Sequence, residues 1–296
     1  MSATTILLYG RSHAGKTTQI GVLAEHVKKT TGKNTRLYTA DKGGLDAILP
    51  YVDVGVIEVF EIGEMNPWIF LNRAVRGYTP NAAGKWALDK EKNAGIGLFA
   101  FESMRGIAEL VLQDMATRGG DGQNIGGGPG IQFTVQADGE TLKIAGTNMA
   151  MFGVAQAKVS EQVWLSQQLP GQYVLWTTSM SKDDDFTSGG KVLGPDVIGK
   201  ALTAEVPRWF NYTFRLDAIP SKAGSGEKHV LYLGMHTDVN SGNATAMGNT
   251  RRPLDAPELK TLTIEPANIV TALDMLAGDN ARKVAADKIR ARLAAK

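Results

Sequence analysis

The chain has no cysteine among its 296 residues. That single absence removes disulfides, thiolate zinc sites, iron–sulfur clusters and cysteine nucleophiles together. Histidine is scarce as well: the four, at positions 13, 26, 229 and 236, are too scattered to read as a His-rich metal site. No apolar run approaches the roughly 18–20 residues needed to cross a bilayer. The start of the chain lacks the charged lead and apolar core of a signal peptide. The expectation is a soluble cytoplasmic protein with no membrane partner. Charge of one sign is missing too. Lys and Arg total 32 against 30 Asp and Glu, a net charge of +2, which excludes coating nucleic acid by bulk charge and leaves room for a local basic patch. Hydrophobic residues at 43% and charged residues at 21% are ordinary globular values, so wholesale disorder is excluded. The length fits one large domain or two small ones.

Glycine is plentiful, with 34 residues, and its placement organises the chain. A short buried strand is expected at 5–9, followed by a Gly-bounded polar loop at 10–15. A helix follows from 17 to about 30, with Ile20, Leu23, Ala24 and Val27 at helical spacing. Further strands are expected at 36–40, 54–60, 96–101 and 173–177, with helices around 45–49 and at 67–75, 104–115, 149–169 and 267–276. Residues 77–93 read as irregular or partly helical. Residues 119–130 hold seven glycines in twelve positions and read as a mobile loop. Strands at 131–135 and 141–144 flank Asp138-Gly139, a favoured hairpin turn. Residues 182–191 read as polar and flexible, and 212–218 with 229–234 as a hairpin tipped by 221–226. The tail at 282–296 reads as a basic helix, with six Lys or Arg against one Asp. Strands alternating with helices imply α/β architecture with a largely parallel sheet.

The sharpest signal is Gly10-Arg11-Ser12-His13-Ala14-Gly15-Lys16-Thr17, a full match to G-x-x-x-x-G-K-[ST] between a strand and a helix. Such a loop wraps a phosphate chain with backbone N–H groups, and the helix N-terminus adds positive potential. Lys16 can reach the β- and γ-phosphates. Thr17 can offer its hydroxyl to Mg²⁺, a hard cation that prefers oxygen, and Thr18 continues the nucleotide-binding segment. ATP with Mg²⁺ is the implied ligand pair.

The ion needs a carboxylate at the end of another core strand. Glu102 ends the apolar run 97–101 and is the candidate. Asp is the usual residue there, and the longer Glu side chain can act through water. The other reading of Glu102 is a carboxylate that caps the following helix. Asp41, at the end of the second strand, can orient or deprotonate an attacking water, or be an ordinary turn residue. Asp46 is a lesser substitute. The hydroxyls of Thr177, Thr178 and Ser179 either sense the γ-phosphate or serve strand-end hydrogen bonds.

The order of these elements resembles the RecA-like P-loop NTPase core. It is similar to compact phage ATPases of AAA type, including the Sak-group single-strand annealing proteins. The resemblance spans roughly residues 4–276. It rests on GRSHAGKT, Ala40-Asp41, Phe101-Glu102-Ser103, residues 173–179, Gly194-Pro195-Asp196-Val197-Ile198-Gly199-Lys200 and Val206-Pro207-Arg208-Trp209-Phe210. It implies an α/β RecA-like ATPase domain over 1–280 with a central sheet flanked by helices, interrupted by an inserted Gly-rich loop and β-hairpin at 119–146. A basic C-terminal helix over 281–296 follows. It also implies a homo-oligomer, ring or filament, in which a neighbour supplies a basic finger. Arg251 and Arg252 are the candidates, with Lys228 as another. Such a finger stabilises charge on the transferred phosphate. Single-stranded DNA, held by the 119–130 and 182–191 loops, and a phage or host replication or recombination protein are the implied partners, with the bacterial host cytoplasm as the compartment. Lys182, Lys191 and Phe186 suit a nucleic-acid strand, and Asp183-Asp184-Asp185 oppose it. Two other functions fit the same motif: a small-molecule or nucleotide kinase, and an assembly protein switched by bound nucleotide.

Overall fold

The computed structural model describes residues 3–41, 43–63, 67–80, 85–88, 90–120, 131–137, 140–147, 149–184, 191–199, 203, 205–221, 226–238, 244–246, 248–250, 263–277, 287–288, 290–291 and 293. In chain order the elements begin with β1 (Thr4–Gly10), α1 (Lys16–Thr31), β2 (Asn34–Thr39), α2 (Leu49–Asp53) and β3 (Ile57–Glu61). There follow α3 (Pro67–Val75), β4 (Tyr78–Pro80), β5 (Trp86–Leu88), α4 (Lys90–Ala94), β6 (Ile96–Glu102) and α5 (Met104–Gly120). The middle of the chain supplies β7 (Ile131–Ala137), β8 (Glu140–Gly146), α6 (Met149–Ser166), β9 (Tyr173–Thr178), β10 (Met180–Asp184) and β11 (Lys191–Pro195). The last part gives β12 (Tyr212–Pro220), β13 (Glu227–Tyr232), β14 (His236–Asp238), β15 (Ala244–Ala246), β16 (Asn249–Thr250), β17 (Thr263–Ile264) and α7 (Ile269–Ala277).

Nine strands form the central sheet, in the order β17-β13-β12-β1-β9-β6-β2-β3, with β16 added on β12. The run from β12 to β3 is parallel throughout. Only the β13, β16 and β17 flank is antiparallel. The chain thus has the α/β class expected, with a mostly parallel sheet between helices. A parallel strand buried on both faces needs a near-continuous apolar run, which is why Ile6, Leu7, Leu8 and Tyr9 are all fully buried. The side chains of Ile6, Leu7 and Leu8 alternate between two cores, as a period of two requires. Leu7 joins Phe99, Phe101 and Trp176 under α3, α5 and α6. Ile6 and Leu8 join Leu37, Leu175 and Phe214 under α1 and α7. On the first face Tyr38, Phe101 and Trp176 stack in series, with ring centroids 5.2 and 4.5 Å apart.

Helix α1 buries Ile20, Leu23, Ala24 and Val27, the stripe its spacing implied. It ends at Gly32, left-handed at φ 71°, whose N–H closes on the Lys28 carbonyl at 3.0 Å.

Two stretches differ from expectation. Within the run 182–191, read as polar and flexible, 182–184 extend β10 and Lys191 opens β11, and these strands pair antiparallel in a separate four-stranded sheet with β15 and β14. Backbone pairing uses N–H and C=O groups, so a polar run can build an edge hairpin without an apolar signature. Within 77–93 a small β4–β5 hairpin forms, with Trp86 edge-on to Phe70 at 4.9 Å. The hairpin expected at 131–144 does form, as β7–β8, a two-stranded sheet of its own. Residues 121–130, the Asp138-Gly139 turn, 185–190, Arg251 and Arg252, and most of the basic tail lie outside the described residues.

Candidate functional site

Parallel order brings the carboxyl ends of β1, β9, β6 and β2 to one edge, where loops can converge on a ligand. The 10–17 loop leaves β1 at that edge. Gly10 belongs there for a reason the motif alone conceals: a Cβ on it would lie 2.0 Å from the Leu216 carbonyl oxygen of β12. Packing of neighbouring backbones demands this glycine before any phosphate does. His13 takes φ 61° and Gly15 φ 93°, so the loop reverses through left-handed positions and delivers the α1 N-terminus to the cavity.

The cavity measures about 560 Å³ and is lined by Ser12, His13, Gly15, Lys16, Thr17, Thr18, Asp41, Glu102, Thr177, Thr178 and Ser179, among others. The structure therefore brings six of the predicted loop residues together with Asp41 and Glu102, while Gly10, Arg11 and Ala14 do not line this cavity. The Lys16 amine donates to the carbonyls of Gly10 at 3.1 Å and Arg11 at 2.8 Å. Burial holds its pKa below the usual lysine range, while the carboxylates of Glu102 and Asp41 pull it back up. Thr17 Oγ1 donates to Glu102 Oε1. Arg11 points the other way, its Nε 3.8 Å from Asp217 Oδ1, a carboxylate that Arg215 also holds at 2.5 Å.

Glu102 is 4% exposed. Burial raises its pKa above the usual carboxylate value. Hydrogen bonds from Thr17 and Thr39 work against that rise, Asp41 adds to it, and Lys16 opposes it. The capping role considered for Glu102 falls to its neighbour: Ser103 Oγ accepts the Gly106 N–H at 3.1 Å, closing the first turn of α5. Ser103 itself sits at φ 65°, and its N–H donates to Thr177 Oγ1 at 3.1 Å, tying β6 to β9.

Asp41 is a turn residue placed at the cavity wall. Its Oδ1 accepts the Gly43 N–H at 3.0 Å, an Asx turn, and its side chain still lines the cavity. A Cβ on Gly44 would lie 3.3 Å from Asp41 Oδ2 and 3.6 Å from Thr17 Oγ1. The missing side chain keeps space open between those two oxygens. The three hydroxyls at the end of β9 are engaged locally: Thr177 accepts from Ser103, while Thr178 and Ser179 donate to the Asp196 carbonyl and carboxylate at 2.5 and 3.0 Å. Lys228 lies away from this cavity, paired with Glu265 at 2.6 Å.

Sequence reasoning missed Thr39, His229 and Asp217. Thr39 Oγ1 lies 3.3 Å from Glu102 Oε2. His229 Nδ1 lies 2.9 Å from the Ala14 carbonyl oxygen. A strand-end hydroxyl was the one available signal, and only for Thr39.

Among the described residues, no group of three or more His, Asp or Glu gathers into a metal cage. Mg²⁺ does not require one, since it takes one or two carboxylates and fills the rest with phosphate oxygens and water. The Thr17–Glu102 oxygen pair, beside the space that Gly44 keeps open, fits that ion. Nor is any helix among the described residues long and apolar enough to cross a membrane.

No protein-family profile and no curated protein matches the chain. Among solved structures, a KaiC-like protein of the archaeon Pyrococcus horikoshii OT3 is similar over 78% of each chain, with 13% identity and a TM-score of 0.39. A likeness that distant lends no weight to a function, so the site is read from its own geometry.

Proposed function

We propose that the chain is a Mg²⁺-dependent RecA-like ATPase that binds ATP in the 10–17 loop and hydrolyses it to ADP and phosphate. One observation carries this reading: Lys16, Thr17, Asp41 and Glu102, from two strand ends and a helix start, line one cavity, with Thr17 bonded directly to Glu102.

In this reading the backbone N–H groups of the loop and Lys16 bind the β- and γ-phosphates, and Lys16 leaves the Gly10 and Arg11 carbonyls to do so. Thr17 and Glu102 would hold Mg²⁺. When bound, the ion neutralises phosphate charge. Asp41 orients a water in line with the γ-phosphate and accepts its proton as the new O–P bond forms and the bond to the β-phosphate oxygen breaks. Thr177 acts on the site through Ser103, by fixing where β6 ends.

The finer reading is a phage-type protein that works as an oligomer in DNA recombination or replication. Support comes from the motif order shared with the Sak-group ATPases and from the basic residues of the C-terminal tail. A neighbour's Arg251 or Arg252 would complete the site. The test is the ATPase rate with and without single-stranded DNA, together with sizing in ATP and ADP. Turnover that depends on Lys16 and Mg²⁺ supports the ATPase. Turnover that survives Lys16→Ala sinks it. DNA that neither binds nor stimulates removes recombination and leaves a protein partner.

A further inference from the structure

We propose that a second cavity, on the opposite side of the phosphate loop, receives the nucleoside (ribose and base) of the same nucleotide. The inference rests on the nucleotide reading above. The second cavity measures about 460 Å³, within the usual range for small-molecule sites. Gly15 and Thr18 line both cavities, so the two adjoin across the first turn of α1. The terminal-phosphate end of the ligand is marked by Lys16, Thr17 and Glu102. The other end must therefore leave past Thr18, and this cavity is what it meets.

Its walls suit a nucleoside. Val22 and Ala267 give apolar surface, and the Lys228–Glu265 ion pair forms a polar rim. His229 stands between the cavity and the loop. A carbonyl oxygen can only accept, so the 2.9 Å contact with Ala14 puts the hydrogen on His229 Nδ1. In the neutral ring Nε2 is then an acceptor, matched to a ribose hydroxyl or a base N–H. The ring is pinned against the loop, since a Cβ on Gly15 would lie 3.5 Å from Nδ1.

The far wall is tied to the same helix. The buried Gln19 amide donates to the Ala267 carbonyl at 3.1 Å and accepts the Ile269 N–H at 2.8 Å. The Ala267 N–H donates to the His229 carbonyl at 2.8 Å. The wall, the ring and the phosphate loop are thus held as one unit, which is the pre-organisation a binding site needs.

Calorimetry with ATP and with inorganic tripolyphosphate, each with Mg²⁺, tests this. The full-length protein is expected to bind ATP at least about tenfold more tightly than tripolyphosphate, the scale of one base–aromatic contact. Val22→Trp, which fills the cavity, is expected to erase that ratio. His229→Asn, whose amide can keep the donor to Ala14, is expected to reduce it severalfold, and it decides the matter if the Trp variant does not fold. Equal binding of the two ligands by the unaltered protein, or a ratio untouched by the substitutions, overturns the nucleoside cavity and leaves the phosphate loop standing. Failure of both ligands to bind the unaltered protein overturns the nucleotide reading and the cavity with it.

Discussion

Arg36 and Thr39 lie three residues apart on β2, one buried within the sheet and the other at its carboxyl end. Arg36 is fully buried. Its Nε donates to Glu58 at 3.1 Å and its Nη1 to Asn93 at 2.7 Å, and its guanidinium lies 5.5 and 6.0 Å from the ring centroids of Phe60 and Phe99. A buried charge is thus met by a counter-charge and enclosed by aromatic faces. Thr39 has one hydroxyl hydrogen and two acceptors within reach, the Asp41 carbonyl at 3.0 Å and Glu102 Oε2 at 3.3 Å. Both cannot be served at once. A proton on Glu102 would resolve the conflict by donating to Thr39, and so would a cation beside Glu102. The Arg36 knot already holds its counter-charge, and the Nη2 it leaves without a hydrogen-bond partner is fully buried. The Thr39 knot reaches the cavity through Glu102, where a ligand can supply the partner it lacks.

That contrast can be broken experimentally. The largest effect belongs to Lys16→Ala, which is expected to weaken ATP binding by at least about 100-fold, the scale of truncating a charged contact, with no loss of thermal stability. Loss of stability instead would make Lys16 a structural residue like Arg36. Next is Glu58→Ala, which strands the Arg36 charge. Chemical denaturation is expected to show a loss of about 2 kcal/mol, below the figure for a fully buried pair because Glu58 is partly exposed, with ATP affinity unchanged. A change in affinity would show that the two knots communicate.

Glu102→Gln is expected to raise the melting temperature of the nucleotide-free protein by about 2–3 °C, because it removes a charge that burial penalises and supplies a donor to Thr39. The same variant is expected to lose the Mg²⁺-dependent part of nucleotide binding. A fall in melting temperature would assign Glu102 to the fold. The smallest effect is in pH. Glu102 titrates higher in the fold than its ordinary value of 4.5, so the folded protein holds the proton longer. Stability of the nucleotide-free protein is therefore expected to fall as pH rises from 4.5 through the raised value. Mg²⁺-dependent binding is expected to strengthen over the same window as the competing proton leaves. Glu102→Gln flattens both slopes, and slopes that persist in it assign the titration elsewhere.

Much of this was legible in the chain. The phosphate loop, its strand and its helix are local features, and Glu102 and Asp41 announce themselves by ending apolar runs. Thr39, Asp217 and His229 were not legible, because they matter through sheet order. Nothing near Gly10 in sequence indicates that Leu216 is its neighbour, and that pairing puts Asp217 beside Arg11 and His229 against Gly15. The β10–β11 pair was hidden for another reason: the pairing partners are backbone atoms, and the polar side chains of 181–184 carry no mark of it.

The contact between Gly10 and Leu216 has a historical consequence. A descendant that abandoned nucleotide would be free to discard Lys16 at once, but it could not discard Gly10 without parting two strands of its core. The letters of the motif are therefore not equally informative about chemistry. The first glycine would outlive the activity, and the lysine is the letter whose loss would date its end.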